Sequence, residues 1–280
     1  MSSIGTNIAT LIAQRFLQSN NALVNRSLQR LATAHRINRA ADDPSGLIVS
    51  EHLRAYLATI EAESRALQRA NHVAATAEGA LGEISGLLRD ANALAVAAAN
   101  ETGMSDAERQ ALQLEMDSII STVNRIAGST TFAGQALLDG SLSLRVDDAS
   151  LSIDAVSAAS LGAIEIDGER YTLAAVGSGG ALNLVTGDTA GAQQAIAAAV
   201  NQVASMRGSI GAFQSNVIES AISGLQVTFE NVAAANSLVR DTDFAAEMSE
   251  LVRAQILAHT SLLSLNLANT MPRSVLSILA

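Results

Sequence analysis

The chain of 280 residues has no cysteine, no tryptophan and no lysine. Without cysteine, neither a disulfide framework nor a thiolate metal site is possible. Aromatic residues are only 2% of the sequence, so ring packing cannot dominate the core. Only two prolines occur, Pro44 and Pro272, which leaves long helices uninterrupted. No apolar run reaches the roughly 20 residues that a membrane-spanning helix needs. The first seven residues, Met1 to Asn7, contain no basic residue, and the first arginine is Arg15. A cleavable secretory signal is therefore not expected, and export would use an uncleaved segment. The formal charge of −10 argues against nucleic acid or an anionic membrane as the main partner. All 17 basic residues are arginine, which reflects a GC-rich genome or favours bidentate interface pairs, the former being the simpler account.

What is present points to helices that need partners. Apolar residues make up 49%, much of it alanine, which favours helix and close helix approach over a thick core. From Ile218 a row runs Ile218, Ile222, Leu225, Phe229, Val232, Asn236, Val239 at 4-3-4-3-4-3 spacing. This is a coiled-coil seam with one polar break. A second row runs Phe244, Met248, Leu251, Gln255, Ala258, Leu262, Leu265. Near the other end, Leu17, Val24, Leu28 and Leu31 repeat at 7-4-3. Narrow seams at both termini call for partner helices, the simplest being each other and neighbouring copies of the chain.

Residues 2–38 form the first expected helix, opened by Ile4, Ile8, Leu11 and Ile12, with the break at Arg39 to Asp43. Asp43 is suited to cap the next helix, over 44–100, with Pro44 at its first position. Ser105-Asp-Ala-Glu108, after Gly103, is a capping box for a third helix through Leu112, Met116, Ile119, Val123 and Ile126, ending near Gly128. Residues 141–186 change character. Leu142 to Val146 and Leu151 to Asp154 alternate at period two, and Asp167-Gly168 within Ile164 to Leu173 is a tight-turn hairpin signal. Gly177 to Gly180 suggests a loose loop. Helix resumes near Thr189 and two segments carry it almost to the end. The fold class is mainly α: a long antiparallel bundle or coiled coil of N- and C-terminal arms around a small β-hairpin region.

Candidate chemical sites are weak. The adjacent pair Asp42 and Asp43 is a poor cation ligand set, because calcium wants six or more oxygens, and helix capping explains it better. His35, His52, His72 and His259 form no metal-binding spacing. Gly79, Gly82 and Gly86 lie in a helix with no strand before them, so a nucleotide loop fails on context. No serine or threonine sits in a nucleophile motif. The segment 141–186 has neither histidine nor cysteine, so grafted catalysis is not expected, and no cofactor is. Asn236 either fixes register or faces solvent. The apolar stripe 244–267 carries Asp243, Glu247 and Glu250 about its start, which favours burial between helices over an anionic membrane.

The stretch Arg36-Ile-Asn-Arg-Ala-Ala-Asp-Asp-Pro-Ser-Gly-Leu47 resembles bacterial flagellin. So do Glu78-Gly-Ala-Leu81, Leu94-Ala-Val96, Asn124-Arg-Ile-Ala-Gly128 and Phe132-Ala-Gly134. On the C-terminal side the same holds for Ile210-Gly-Ala-Phe-Gln214, Asp241-Thr-Asp-Phe-Ala-Ala-Glu-Met248, Arg253-Ala-Gln-Ile-Leu257 and the tail Val275-Leu-Ser-Ile-Leu279. The resemblance implies an extracellular, self-assembling subunit of the motility filament, without enzyme activity and without the large outer domains. It implies that residues 1–42 and 240–280 form a discontinuous inner-tube helical domain. Residues 43–239 would form the outer-tube bundle, with the β insert at about 141–186.

Expected subunit-packing residues are Ile8, Leu11, Ile12, Leu17, Val24, Leu28, Leu31, Phe244, Met248, Leu251, Leu262 and Leu265. The expected bundle core is Ile218, Ile222, Leu225, Phe229 and Val232. Implied partners are copies of the chain, an export chaperone on the C-terminal arm, the export apparatus, a cap protein and a junction protein. Thr33-Ala34 stand where flagellins usually have Ser-Gly, which would stiffen the joint between arms. The surface sensed by the flagellin-binding toll-like receptor corresponds to Arg89, Asp90, Leu94 and Glu115. Asp90 stands where a basic residue is common, so weak receptor recognition is expected. A hook–filament junction protein is the alternative reading. A secreted helical effector or adhesin fits less well, because both termini match flagellin.

Overall fold

The computed structural model describes residues 7–100 and 104–279, with side chains as far as Met271. Ile4, Gly103 and the side chains of Pro272 and the 275–279 tail therefore lie outside the described residues. The helices are α1 (Ile8–Thr33), α2 (Pro44–Ala98), α3 (Asp106–Ser129), α4 (Thr189–Phe213), α5 (Glu219–Arg240) and α6 (Phe244–Leu279). A π-turn over Gln214–Ile218 joins α4 to α5 in one continuous rod. The strands are β1 (Thr131–Phe132), β2 (Gln135–Ala136), β3 (Ser143–Val146), β4 (Ala149–Ser152), β5 (Ile164–Ile166) and β6 (Glu169–Tyr171). They pair only as three separate antiparallel hairpins. The chain divides into a terminal unit, residues 1–60 with 228–280, and a central unit, residues 61–227.

Local chemistry explains most boundaries. The Asp43 carboxylate accepts from the Gly46 N–H at 2.8 Å, with Pro44 opening α2, so this acidic residue is a helix cap. The neighbouring Asp42 carboxylate accepts from the N–H groups of Asn38 and Arg39 and fastens the turn before it. Ser105 and Glu108 make the reciprocal capping box of α3, and the Ser105 N–H and hydroxyl hold the Glu108 carboxyl below its ordinary value. Asp167 and Gly168 both adopt positive φ, 53° and 81°, at the β5–β6 turn.

Three expectations need correction. The first helix ends at Thr33, not near residue 38, because Ala34 adopts a left-handed φ of 59°. Residues beyond it turn to meet the α5–α6 joint. There Arg36 N–H donates to the Arg240 carbonyl at 2.7 Å, Thr242 N–H donates to the Ala34 carbonyl at 3.0 Å, and His35 bridges to Asp241. Second, Phe132-Ala-Gly134 is also the turn of a hairpin, β1–β2, with Ala133 at φ 51° and Gly134 at 84°. Its strands are too short for any alternation to register. Third, Gly177 to Gly180 is ordered rather than loose. Ser178 N–H donates to Asp117 at 2.8 Å, Gly180 N–H donates to the Gly177 carbonyl, and Leu182 and Leu184 beyond it are buried. The two C-terminal helical segments are present as expected, and the first of them contains a π-turn that inserts one residue into the seam between Phe213 and Ile218.

An alanine in the left-handed region costs about 1–2 kcal/mol. Ala34→Gly should therefore stabilise the terminal unit, by roughly 0.5–1 kcal/mol after the extra unfolded-state entropy of glycine. Thermal or denaturant unfolding of the variant measures this directly.

The central core is built from α2, α3 and α4. On α2 it reads Leu67, Ala74, Ala77, Leu81, Ile84, Leu88, Ala91, Ala95, Ala98, a 3-4 repeat rich in alanine. Met116, Ile119 and Val123 of α3 and Ala192, Ala195, Ile196, Ala199 and Val203 of α4 meet it. A two-stranded hairpin is marginal alone, so β3–β4 and β5–β6 depend on this core, which they reach through Val146, Leu151, Ile164 and Ile166. Gln113 of α3 is the polar centre of the fastening. It donates to the Val176 carbonyl and to Asp117, and accepts from the Leu184 N–H at 2.7 Å. Burial alone would raise the Asp117 carboxyl, but the hydrogen bonds from Ser178 and Gln113 outweigh it and hold the group low.

Candidate functional site

The helices α1 and α6 form an antiparallel coiled coil. Asn7 donates to the Ala268 carbonyl, Thr10 to Asn269, Asn20 to Ser261 and Arg30 to Glu247, so successive positions on α1 meet earlier positions on α6. The side of α1 turned inward is Thr10, Ala13, Leu17, Asn20, Val24, Ser27, Leu31. The matching side of α6 is Glu247, Leu251, Ala254, Ala258, Ser261, Leu265, Ala268. Both follow a strict alternation of three and four, yet nine of their fourteen members are small or polar.

This seam differs from the rows legible in the sequence. Leu17, Val24, Leu31, Leu251 and Leu265 lie in it, half-buried or buried. Ile8, Leu11, Ile12, Leu28, Phe244 and Met248 are outside it and exposed, and Leu262, also exposed, flanks it beside Leu17, Val24 and Ala258. Phe16, Leu23, Val252, Ile256, Leu257, Leu263 and Leu267 are exposed as well and carry no mark in the sequence rows. The helix is apolar on both sides, so apolar spacing alone cannot tell the inward face from the outward one. The signal that separates them is residue size: the inward face is the one whose alanines and serines recur at heptad spacing.

The Ile218 row passes through both units. Ile218 is fully buried, and Ile222 and Leu225 are half-buried against the central core. Phe229 and Val232 are half-buried and belong to the terminal unit. Asn236 meets the buried Ser50 of α2, whose hydroxyl donates to Asn236 Oδ1 at 2.9 Å. That favours register fixing over solvent exposure, since a one-turn slip would strand both groups. Arg240 to Glu51 at 3.3 Å closes the same end of this helix pair.

Of the receptor-facing positions, Arg89, Asp90 and Glu115 are exposed and Leu94 is half-buried against the central core. Gly82 approaches the Arg207 guanidinium, which itself pairs with Glu78 of α2, while Gly79 and Gly86 have nothing close. Among the described residues, no three acidic or histidine side chains gather as a metal site, and no helix is long and apolar enough to cross a membrane.

Two family descriptions match the chain: the bacterial flagellin N-terminal helical region over residues 4–143, and the bacterial flagellin C-terminal helical region over 193–279. Among similar proteins, the flagellin of Bacillus subtilis is 35% identical, covering 99% of both chains. The flagellin of Halalkalibacterium halodurans is also 35% identical, again covering 99% of each. The flagellar filament 30.7 kDa core protein of Treponema maltophilum is 32% identical over 99% of each. The match at both ends, the near-equal lengths and the paired terminal helices agree. The chain belongs to the bacterial flagellin family, whose members are structural subunits of the flagellar filament outside the cell and not enzymes.

Proposed function

We propose that this chain builds its filament through the outward faces of the α1–α6 coiled coil. The observation that carries the proposal is the distribution of exposed apolar side chains. Of the 22 large ones among the described residues, 15 lie on these two helices. Apolar surface so concentrated marks an interface. Charge supports the same reading. The terminal unit has nine arginines against eight carboxylates, whereas the central unit has eight against nineteen. Copies can approach closely through a near-neutral surface, while the acidic unit favours separation and solubility.

In this scheme Leu17, Val24, Leu31, Leu251 and Leu265 pair the arms of one copy. Ile8, Leu11, Ile12, Leu28, Phe244, Met248 and Leu262 pack between copies. Residues 1–42 and 240–280 make the inner tube and 43–239 the outer bundle, with Ile218, Ile222, Leu225, Phe229 and Val232 on its long seam. The contact is open and head-to-tail, because a closed ring would stop growth. Leu263→Glu tests it. Leu263 is 68% exposed in the single chain, so the monomer should keep its stability within about 0.5 kcal/mol. Burial of that carboxylate between copies should raise the critical concentration for assembly at least about tenfold, a free-energy difference of about 1.4 kcal/mol. Unchanged growth would remove the outward face from the mechanism.

The family resemblance supports further partners: a chaperone that shields the apolar α6 arm before export, the export apparatus at the N-terminal arm, and cap and junction proteins at the filament ends. It also supports contact with the flagellin-binding toll-like receptor through Arg89, Asp90, Leu94 and Glu115. The exposed Asp90 puts a negative charge where the family resemblance implies a basic residue, so activation should be weak. A receptor reporter assay should show Asp90→Arg more potent than the parent chain; equal potency would discard Asp90 as the cause.

A further inference from the structure

The N-terminal arm is one-sided in charge. Residues 1–41 hold five arginines and no carboxylate. Two of the five, Arg15 and Arg26, are exposed on α1 with no ion pair among the described residues. Arg15 lies 5.9 Å from the Phe16 ring centre, a contact that brings it no carboxylate. The two arginines are 11 residues apart, within about 20° of three full helical turns. They therefore stand on one face of α1, about 16 Å from each other. Between them in the same row are Ser19 and Ala22, both exposed.

The same pattern recurs with the opposite sign on α5. Glu219 and Glu230 are exposed, 11 residues apart, and again without an ion pair among the described residues. Ser223 and Gln226 stand between them, so both rows are spaced 4-3-4 with uncharged residues inside charged ends. Other like-charged pairs at this spacing on one described helix are already satisfied within the chain. Arg54 and Arg65 of α2 pair with Glu51 and Glu61. On α3, Asp106 pairs with Arg109, and Asp117 accepts from Gln113 and from the Ser178 N–H. Spacing and free charge together select one helix as the complement of α1.

We infer that the Arg15–Arg26 face of α1 in one copy docks on the Glu219–Glu230 face of α5 in a second copy. The inference rests on the self-assembly reading above and names one contact within it. A 4-3-4 row reads the same from either end, so both charge pairs form whether the helices run parallel or antiparallel. The uncharged positions between them let the axes approach to the roughly 8–10 Å of ordinary helix packing. The exposed Phe16 and Val227 lie beside the two rows and add apolar contact. Exposed ion pairs add little affinity, whereas like charges brought together are costly, so this face sets register and partner choice.

Charge reversal tests it. Critical concentrations for filament growth are measured for the parent chain, for Arg15→Glu with Arg26→Glu, for Glu219→Arg with Glu230→Arg, and for all four together. Each reversed pair should raise the critical concentration at least about tenfold, and the fourfold variant should return to within about threefold of the parent. Total charge also changes, so a control joins Arg15→Glu and Arg26→Glu to Glu63→Arg and Glu83→Arg. It restores the formal charge of −10 at exposed positions of α2 and should stay as poor as the reversed arginines alone. Reversals that cost nothing, rescue by the control, or no rescue by the fourfold variant overturn the contact and leave self-assembly standing. A parent chain that does not grow overturns the self-assembly reading instead. All these positions are exposed, so the monomers should melt at the parent's temperature. Where one does not, glutamine at the same four positions reads the same contact. The two neutralised pairs combined should be no worse than the poorer one, and multiplying effects overturn the proposal.

Discussion

Leu251→Asp should abolish filament growth while leaving the central unit folded. Leu251 is 7% exposed and sits in the α6 face that meets α1. Its replacement removes about 2 kcal/mol of apolar burial. It also sets a carboxylate in the seam one turn after Glu247, itself 9% exposed and already paired to Arg30 at 3.4 Å. An unpaired charge so placed costs about 3–5 kcal/mol more. A narrow helical pair cannot absorb this, because isolated helices gain little without their partner. Hydrogen exchange should show the amides of α1 and α6 unprotected, with those of residues 74–98 unchanged. Sedimentation should find no polymer. Growth of normal filaments would mean that pairing of the arms is not a precondition for assembly. The contrast with Leu263→Glu matters: one variant opens the monomer's own coiled coil, and the other leaves it closed and spoils only the contact between copies.

Gly162→Ala should damage the other unit. Gly162 has φ 66°, where an L side chain costs about 1–2 kcal/mol. A Cβ there would also overlap the Ala195 carbonyl oxygen and press on the Ala199 methyl of α4. Ala195 and Ala199 are fully buried, so neither can move aside without disturbing the core. With overpacking added, the loss should be about 3 kcal/mol or more. In a unit of this size that lowers the melting temperature by roughly 10 °C. Gly168→Ala separates the two causes. Gly168 also has positive φ, 81°, but nothing lies within 4 Å of its Cβ position, so only the backbone cost of about 1 kcal/mol applies. Equal losses at the two positions would show that close approach to α4 is unimportant.

The parts of this fold most visible in the sequence are those with strong local chemistry. The Ser105–Glu108 capping box, the Asp43-Pro44 helix start and the Asp167-Gly168 hairpin each depend on a few adjacent residues, and each is found in its expected place. The long helices followed from periodicity and the scarcity of proline. The joint at residues 34–43 was harder. Ala34 carries no glycine-like signal, and its left-handed turn is imposed by backbone pairing with Arg240 and Thr242, more than 200 residues away in sequence. The π-turn at Gln214–Ile218 was also hidden, since either register of the rod places apolar residues inward: Val217 and Ala221 in one, Ile218 and Ile222 in the other. Of the coiled-coil seam, every second position was legible: Leu17, Val24, Leu31, Leu251 and Leu265 lie in it, while the small and polar positions between them carry no apolar signal. A helix that must bury one face against its partner and another against neighbouring copies shows two apolar rows, and periodicity cannot rank them. Asn236 could be assigned only once Ser50 was opposite it.

The most direct test of the central claim is seeded assembly. Short filament fragments sheared from this protein's own polymer are added to purified monomer, and growth is followed by sedimentation and electron microscopy. Long filaments extending from the fragment ends, with a rate proportional to monomer concentration, are the predicted result. Monomer that stays soluble, or ends that stop after a few subunits, would contradict an open self-assembling subunit.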